Sequence, residues 1–228
     1  MNNLRLDLHV HTVYSGDSLI KLPDLIKYVK KKQLDGIAIC DHNTIKAYKK
    51  LKDKAKKHEF ILIPGMEIET HIGEVIGLFL EDEVSCENNN FFHIVNQIRD
   101  YGGLVIIPHP FDFIRRNHLK TDLINDKIIK KYIDGVEIMN SRIMFHKCIK
   151  KAIEFKTKYN LFETAGSDAH HYKEIGNGYT LIQTPQGNSL EEIKQALLSK
   201  LSISMGSRSS PFYHLITIIN KIKMREYL

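Results

Sequence analysis

Two histidines, His9 and His11, stand two residues apart near the start of the chain, at the end of an apolar run that is predicted to be a strand. Residues i and i+2 of a strand project to the same side, so the two imidazoles converge on one point. Imidazole is the commonest protein ligand for zinc-like ions. Four later segments also place histidine or a carboxylate just after a short apolar run: Asp41-His42, Glu67, His109 and Asp168-Ala169-His170. Five such clusters at strand ends predict a metal site.

Short apolar runs alternate along the chain with segments of helical periodicity. Apolar runs bounded by polar or turn residues predict strands, and apolar residues spaced three and four apart predict helices. The predicted strands are Arg5–His9, Gly36–Cys40, Phe60–Ile63, Met66–Thr70, Val75–Leu80, Leu104–Ile107, Gly135–Met139 and Thr164–Ser167. The predicted helices are Leu22–Lys32, Thr44–Lys57, Phe91–Tyr101, Ile143–Tyr159 and Leu190–Lys200, followed by a basic final helix.

This alternation predicts an α/β fold. Strands that are apolar along their whole length are typical of parallel strands covered by helices. A count of about seven to eight β-α units favours a closed barrel, in which the chemistry gathers at the carboxyl ends of the strands. The five ligand clusters lie at those ends. Residues 1–186 are predicted to form the barrel and residues 187–228 a C-terminal appendage, because no linker rich in Pro, Gly or Ser divides the chain before Gly187.

Composition narrows the class of protein. A length of 228 residues, with 43% hydrophobic and 26% charged residues, suits one soluble domain. The net charge of +6 comes mostly from lysines on helical segments such as Lys46 to Lys57, and we interpret it as a solvated helix face that mildly favours anionic substrates. The three cysteines have no C-X-X-C spacing, and no apolar run approaches the length of a membrane span. These features predict a cytoplasmic protein.

The order and spacing of these residues resemble the motifs of the PHP (polymerase and histidinol phosphatase) metallohydrolases. The segments that carry the resemblance are Asp7-Leu8-His9-Val10-His11-Thr12 with Ser15-Gly16-Asp17, Ile39-Cys40-Asp41-His42-Asn43, Gly65-Met66-Glu67-Ile68, Gly73-Glu74-Val75-Ile76-Gly77, Ile107-Pro108-His109-Pro110, and Gly166-Ser167-Asp168-Ala169-His170 with Ile175-Gly176. They span roughly residues 5–185 in the order in which the family has them.

The resemblance implies a distorted (β/α)7 TIM-like barrel with two or three divalent metal ions, Mn, Zn or Fe. Its motifs assign one metal to His9, His11, Glu67 and Asp168, and a second to His109, with Glu67 as the bridge. A third metal falls to Asp17, His42 and His170. The donor chemistry agrees, because a tight cluster of divalent ions needs carboxylates for charge neutralisation and imidazoles as neutral ligands.

One position departs from the family pattern. Many relatives have a histidine just before the strand that begins at Val75, and this chain has Glu74 there. We expect Glu74 to act as an oxygen ligand, since it keeps register with the strand, and His71 is the competing candidate. A carboxylate there favours harder ions such as Mn or Fe without excluding Zn.

Other polar residues are weaker candidates. Six further histidines fall in helical or polar surroundings and are interpreted as surface or packing residues: His58, His93, His118, His146, His171 and His214. Glu137 ends a predicted strand, either as a partner for a ligand histidine or as a structural carboxylate. Ser167 and Cys40 are poor nucleophiles because no separate base is identifiable. The chain has no G-X-G-X-X-G and no P-loop, which argues against nucleotide-cofactor binding.

Two or three clustered divalent ions suit phosphoester hydrolysis by a metal-activated water, with no side chain as nucleophile. Arginines at the rim bind phosphate oxygens through paired hydrogen bonds. Arg116 and Arg142 are the predicted substrate-binding residues, and Arg115 is a further candidate. For each arginine, a solvated surface role is the alternative.

The sequence therefore predicts a metal-dependent phosphoesterase that acts on a small phosphomonoester or a nucleotide-type substrate. Histidinol-phosphate phosphatase, exonuclease on short substrates and protein-tyrosine phosphatase are the alternatives within enzymes. A non-catalytic metal-binding PHP module is the alternative of another class. The chain has no long basic and aromatic groove pattern, which argues against binding of extended nucleic acid. The sequence predicts no membrane partner and leaves the oligomeric state open.

Overall fold

The computed structural model describes residues 1–226, and within them nine strands form one sheet. The strands are β1 (Asn2–Val10), β2 (Gly36–Ile39), β3 (Ile61–Thr70), β4 (Gly73–Leu78), β5 (Leu104–Ile107), β6 (Gly135–Asn140), β7 (Phe162–Gly166), β8 (Gly178–Thr184) and β9 (Ser202–Gly206). The helices are α1 (Leu22–Lys31), α2 (Lys46–Lys57), α3 (Phe91–Asp100), α4 (Asp126–Tyr132), α5 (His146–Tyr159), α6 (Leu190–Leu198) and α7 (Pro211–Glu226). None of these helices has the length and apolar character that a bilayer span requires.

The sheet curves into a nearly closed barrel, which confirms the predicted α/β barrel class. Its strand order is β7-β6-β5-β4-β3-β2-β1-β8-β9. The carboxyl end of β1 meets the segment after β7, where the Asp168 amide donates to the His9 carbonyl at 2.7 Å and the His11 amide donates to the Ala169 carbonyl at 3.1 Å. This junction brings the first and last ligand clusters of the sequence side by side.

The sheet is mixed, so the prediction of parallel strands is confirmed for two groups of three strands and wrong for the others. β1, β2 and β3 pair in parallel, as do β5, β6 and β7, but β4 is antiparallel to both of its neighbours and β8 is antiparallel to β1 and β9. The two strands predicted at Phe60–Ile63 and Met66–Thr70 are one continuous strand, β3. It turns through two residues into β4, which is too short a connection for a parallel crossover.

Three elements were absent from the sequence prediction: α4, β8 and β9. β8 alternates buried and half-buried residues, a period-2 pattern that its sequence displays. β9 is mostly exposed and carries little signal. It lies in the segment predicted as an appendage, yet it pairs along its length with β8, so that segment extends the barrel sheet. The boundary at 186/187 stays a prediction.

Among the residues that the structure describes, the core consists of three buried apolar clusters. One cluster takes side chains from β1 through β5, from β7 and β8, and from α6, so it fills the inside of the curved sheet. The other two lie between the sheet and its helices, one against α1 and α2 and one against α3, α4 and α5. The polar side chains of the strand ends are thereby gathered at one rim of a rigidly packed barrel.

Candidate metal centre

Four of the predicted ligands converge beside the junction of β1 with the segment after β7. The Nε2 atoms of His9 and His11 lie 3.0 Å apart. The His11 Nε2 atom is 3.2 Å from Glu67 Oε2 and 3.4 Å from Asp168 Oδ1, and His9 Nε2 is 3.5 Å and 3.8 Å from the same two oxygens. All four side chains are buried. Two nitrogens and two oxygens therefore face one point.

Glu67 lies at the centre of the whole cluster. Its Oε1 atom is 3.1 Å from His109 Nε2, while its Oε2 atom is 3.4 Å from His42 Nδ1 as well as close to His9 and His11. Its two oxygens therefore face different sets of nitrogens. This is the arrangement that a bridging carboxylate requires.

A further group lies next to His11, whose ring centroid is 4.7 Å from that of His42 and 4.4 Å from that of His170. Asp17 Oδ2 is 3.5 Å from His42 Nε2, and Asp17 Oδ1 is 3.3 Å from His170 Nε2. Donor nitrogens of His11, His42 and His170 all lie within 4.8 Å of one another. The structure thus brings the third predicted ligand set together next to the first.

Glu74 points into the centre and His71 does not. The Glu74 Oε2 atom is 3.6 Å from His109 Nε2, and Glu74 forms a compact donor group with His42 and Glu67. The His71 ring instead accepts a hydrogen bond from the Phe91 amide at the start of α3. The geometry favours Glu74, which the strand register also favours.

Glu137 contacts two of the predicted ligand histidines. Its Oε1 atom is 3.1 Å from His9 Nδ1, and its Oε2 atom accepts hydrogen bonds from the His109 amide at 2.9 Å and from Asn140 Nδ2 at 3.0 Å. A hydrogen bond at Nδ1 fixes the tautomer that leaves the His9 Nε2 lone pair free for a ligand. The partner role is therefore the one that the contacts support.

Two more carboxylates next to the ligands have structural contacts. Asp41 accepts hydrogen bonds from the amide and the hydroxyl of Thr12, at 2.6 and 2.7 Å, and so fixes the loop that follows β1. Asp7 accepts from the Ser167 amide at 2.8 Å, across the junction with β7. Both hold backbone in place instead of facing the centre.

The backbone at the rim is irregular where the ligands are presented. His109 and Asp168 have positive φ angles of 29° and 53°, which are uncommon for residues other than glycine. The register of β1 against β2 shifts between Asp7 and Val10, beside His9. Such departures re-aim side chains, cost energy and concentrate at functional sites.

The charges of the cluster depend strongly on one another. Although burial opposes charging of its ring, the carboxylates of Asp168 and Glu67 raise the pKa of His11 to about 9. Burial would raise the pKa of Glu67, but the neighbouring histidines, His9 first, hold it well below its usual range. Burial and the nearby His11 lower the pKa of His170 to about 4. These shifts favour a protonated His11 imidazole beside an ionised Glu67 carboxylate.

The donor set fits divalent metal ions. In the part of the chain that the structure describes, Asp168 Oδ1 is buried and accepts no hydrogen bond, although three imidazoles surround it. Two imidazole nitrogens at 3.0 Å, as in His9 and His11, can share at most one proton comfortably. A cation that accepts lone pairs from both nitrogens and from the carboxylates satisfies all of these atoms. Nitrogen and oxygen donors together suit Zn, Mn or Fe.

The three candidate arginines occupy different positions around one cavity of about 380 Å³, which six of the nine predicted ligands also line. Arg115 forms ion pairs with Asp168 and Asp112. Arg116 is exposed at the rim. Arg142 is buried, and its Nη2 atom donates to Thr217 Oγ1 at 2.6 Å. The sequence prediction did not distinguish these environments.

The guanidinium group of Arg142 makes several polar contacts with other protein groups. Its Nη1 atom is 3.1 Å from His170 Nδ1, its Nε atom is 3.2 Å from Glu174 Oε1, and Nη2 also donates to the Tyr213 carbonyl at 3.1 Å. Its guanidinium joins the loop after β7 to α7. A role in phosphate binding for Arg116 and Arg142 stays a prediction.

One residue of the cavity wall is among the histidines that the sequence predicts to be surface or packing residues. His214, on α7, lines the same cavity as the ligands. No local motif marks it, because α7 reaches the rim only through tertiary packing. The remaining weak candidates behave as expected: His58, His93 and His146 are exposed, and His171 stacks on Tyr213 with ring centroids 5.0 Å apart.

Comparison with known proteins places this arrangement in a family. The family model described as "PHP domain" matches residues 7–175. The chain is 39% identical over 213 residues to "Uncharacterized protein MJ0417" of Methanocaldococcus jannaschii, covering 91% of this chain and 84% of that one. It is 34% identical over 148 residues to "Uncharacterized protein MJ1587" of the same organism, covering 60% and 82%.

Solved structures show the same fold at low identity. A two-domain protein from Bacteroides vulgatus, described as containing a "predicted PHP-like metal-dependent phosphoesterase", is similar with a TM-score of 0.76 and 19% identity, covering 96% of this chain and 70% of that one. The lesion-specific endonuclease EndoQ from Pyrococcus furiosus is similar with a TM-score of 0.66 and 16% identity, covering 90% and 59%.

Proposed function

Because the chain belongs to the PHP domain family, we propose that it is a metal-dependent phosphoesterase that hydrolyses a small phosphomonoester or nucleotide-type substrate. The observation that carries this proposal is the convergence of buried nitrogen and oxygen donors around Glu67 at the base of a cavity. A purely structural cluster has no need of so many donors aimed at one space. Their concentration favours a catalytic centre over a structural metal-binding module.

Nine side chains would hold the metal ions: His9, His11, Asp17, His42, Glu67, Glu74, His109, Asp168 and His170. Bound there, two or three divalent ions would supply Lewis acidity for the phosphoryl group and lower the pKa of a nucleophilic water. The chain itself contributes fixed ligand geometry through Glu137, which holds His9 and the His109 backbone. It contributes positive charge through Arg115 and Arg116 at the cavity wall.

The size and lining of the cavity favour a small substrate. Its volume of about 380 Å³ lies toward the lower end of the range of small-molecule sites. Arg116 is exposed at its rim and Arg115 lies inside, so an anionic group entering the cavity passes cationic groups. Two such guanidinium groups would pair with the phosphate oxygens whose negative charge the metal ions do not neutralise.

The test is hydrolysis by protein reconstituted separately with Mn, Zn and Fe. A panel of aryl phosphate, nucleoside monophosphates and bisphosphates, and histidinol phosphate would be compared with a phosphodiester. We expect release of phosphate from monoesters and loss of activity on chelation. Glu67→Gln should abolish turnover, whereas Glu69→Gln, at an exposed residue of the same strand that does not line the cavity, should leave it unchanged. Metal binding without turnover of any ester would instead support a non-catalytic metal-binding module.

A further inference from the structure

Helix α7 forms one wall of the cavity above the candidate metal centre. His214, Thr217 and Ile218 line it together with ligand residues such as Glu67 and Asp168. α7 follows the last strand of the sheet and lies far in sequence from every ligand. Its place at the rim is therefore a feature of this chain that the ligand motifs do not specify.

Several hydrogen bonds fix α7 and the loop before it against the rim. The Ser209 amide donates to the Ser141 carbonyl at 2.6 Å, and the hydroxyls of these two serines are 2.9 Å apart. Arg142 donates to the Tyr213 carbonyl and to the Thr217 hydroxyl in the first two turns of the helix. These contacts come from the loop after β6, which borders the metal centre. α7 and the loop before it are thus held by Ser141 and Arg142, of which Arg142 also contacts His170.

Three exposed aliphatic side chains line the cavity in addition to Arg116 at its rim. Ile114 follows β5, Met144 follows β6 and Ile218 comes from α7, and these three residues line the cavity. Their exposed fractions are 54%, 42% and 55%. We call these three residues the collar. Exposed aliphatic side chains that surround the entrance to a polar site mark a surface that gains from being covered by a ligand.

His214 lies at the cavity wall with unused hydrogen-bonding capacity. Its side chain is half-buried and has no hydrogen bond among the residues that the structure describes. Burial and the cations of Arg142 and Arg115 lower its pKa to about 4, so the ring is neutral near pH 7. A neutral imidazole offers one donor, one acceptor and an apolar ring face.

We propose that α7 and the collar form a subsite for the leaving group of the ester, and that this group carries an aromatic ring with apolar faces. This proposal rests on the proposed phosphoesterase function, because the metal ligands would hold the phosphoryl group at the base of the cavity. A ring bound above it would cover Ile114, Met144 and Ile218, while His214 binds a polar edge of the ring. A polyol leaving group would place hydroxyls against the collar without partners, which is unfavourable.

Two variants of α7 provide the test. Ile218→Ser removes a collar side chain, and Ile219→Ser changes the next residue, which is 43% exposed and does not line the cavity. The kcat/KM of each variant relative to the unmodified protein is measured for 1-naphthyl phosphate and for glycerol 3-phosphate. Expressing each result as a ratio to the unmodified protein cancels the different intrinsic reactivities of the two esters.

Ile218→Ser should lower kcat/KM for 1-naphthyl phosphate by about 5- to 20-fold, the loss expected for one partly buried aliphatic contact. It should change kcat/KM for glycerol 3-phosphate by less than about 2-fold, and Ile219→Ser should change neither value. Equal losses for both esters in Ile218→Ser, or an equal loss of the naphthyl ester in both variants, would overturn the proposed subsite.

A binding measurement separates this subsite from the catalytic proposal. The metal-loaded protein is titrated calorimetrically with phenylphosphonate and with methylphosphonate, neither of which is a phosphoester. Tighter binding of phenylphosphonate that is lost in Ile218→Ser and kept in Ile219→Ser supports the subsite, even if no ester is hydrolysed. Equal affinity of the unmodified protein for the two phosphonates would refute it, whatever the activity.

Discussion

Replacement of Glu137 by glutamine should weaken metal binding through the tautomer of His9. Glu137 Oε2 accepts two hydrogen bonds, from the His109 amide and from Asn140 Nδ2. Asn140 cannot reverse its amide, because its Nδ2 also donates to Asp168 and its Oδ1 accepts from the Arg142 amide. The glutamine oxygen must therefore take the Oε2 position, which leaves its NH2 group facing His9.

The NH2 group of Glu137→Gln would donate to His9 Nδ1 and so move the ring proton to Nε2. His9 Nε2 is the atom that faces His11, Glu67 and Asp168, and a protonated nitrogen has no lone pair for a metal. Loss of such an outer partner costs about 10- to 100-fold in metal affinity. That factor corresponds to about 1.4–2.8 kcal/mol of binding free energy.

The assay is metal affinity by competition with a chromophoric chelator, with the metal content after dialysis as a second readout. The matched control is Glu163→Gln on β7, which removes a half-buried carboxylate that pairs with Lys156 and accepts from the Ser204 amide, away from the cavity. Glu163→Gln should bind metal as the unmodified protein does. An unchanged affinity in Glu137→Gln would refute the tautomer argument, and so would a similar loss in both variants.

Three further changes test other parts of the centre. The apparent affinity for Zn or Mn should keep rising as the pH increases from 6 to about 9, because bound metal must displace the proton from His11, whose pKa is raised to about 9. Calorimetry in buffers of different ionisation enthalpy would measure the released protons. A plateau of the affinity above pH 7 would contradict the expectation. Gly166→Ala should destabilise the fold by about 1–3 kcal/mol and lower the metal content, because the added Cβ would lie 2.3 Å from the Cβ atom of His9. A denaturant titration would measure the stability, and metal analysis would measure the content. Unchanged stability and metal content would contradict the prediction. Arg116→Ala should lower kcat/KM by about 10- to 100-fold with metal content intact, since arginine has no lone pair for a metal. Arg116→Lys should restore kcat/KM only in part. Unchanged kinetics in Arg116→Ala would show that Arg116 is a solvated surface residue without a role in substrate binding.

The sequence determined the residue types of the centre and the kind of element that carries each one. His9 and His11 at the end of a short apolar run predict paired imidazoles, and the later clusters predict a shared rim, because strand periodicity and barrel geometry are local rules repeated along the chain. Most strands and helices were predicted to within a few residues. The antiparallel turn from β3 to β4 was not, since the apolar pattern of a buried strand does not encode its direction.

The tertiary structure determined which of two neighbouring candidate residues contacts the centre. The strand register favours Glu74 but leaves His71 as a competing candidate, and in the fold Glu74 lies near His109 while His71 accepts from the Phe91 amide. Arg115, adjacent in sequence to Arg116, pairs with Asp168, while Arg116 stays exposed. These outcomes depend on which partner lies within hydrogen-bonding distance after the barrel closes.

Helix α7 is the clearest example of a feature of the site that the sequence alone does not reveal. Its sequence predicts a basic terminal helix, and nothing within it indicates that His214 and Ile218 line a cavity formed by residues from the opposite end of the chain. That placement follows from the pairing of β9 with β8 and from the hydrogen bonds of Arg142 with the helix. Contacts between residues so distant in sequence have no local periodicity, so only the folded chain reveals them.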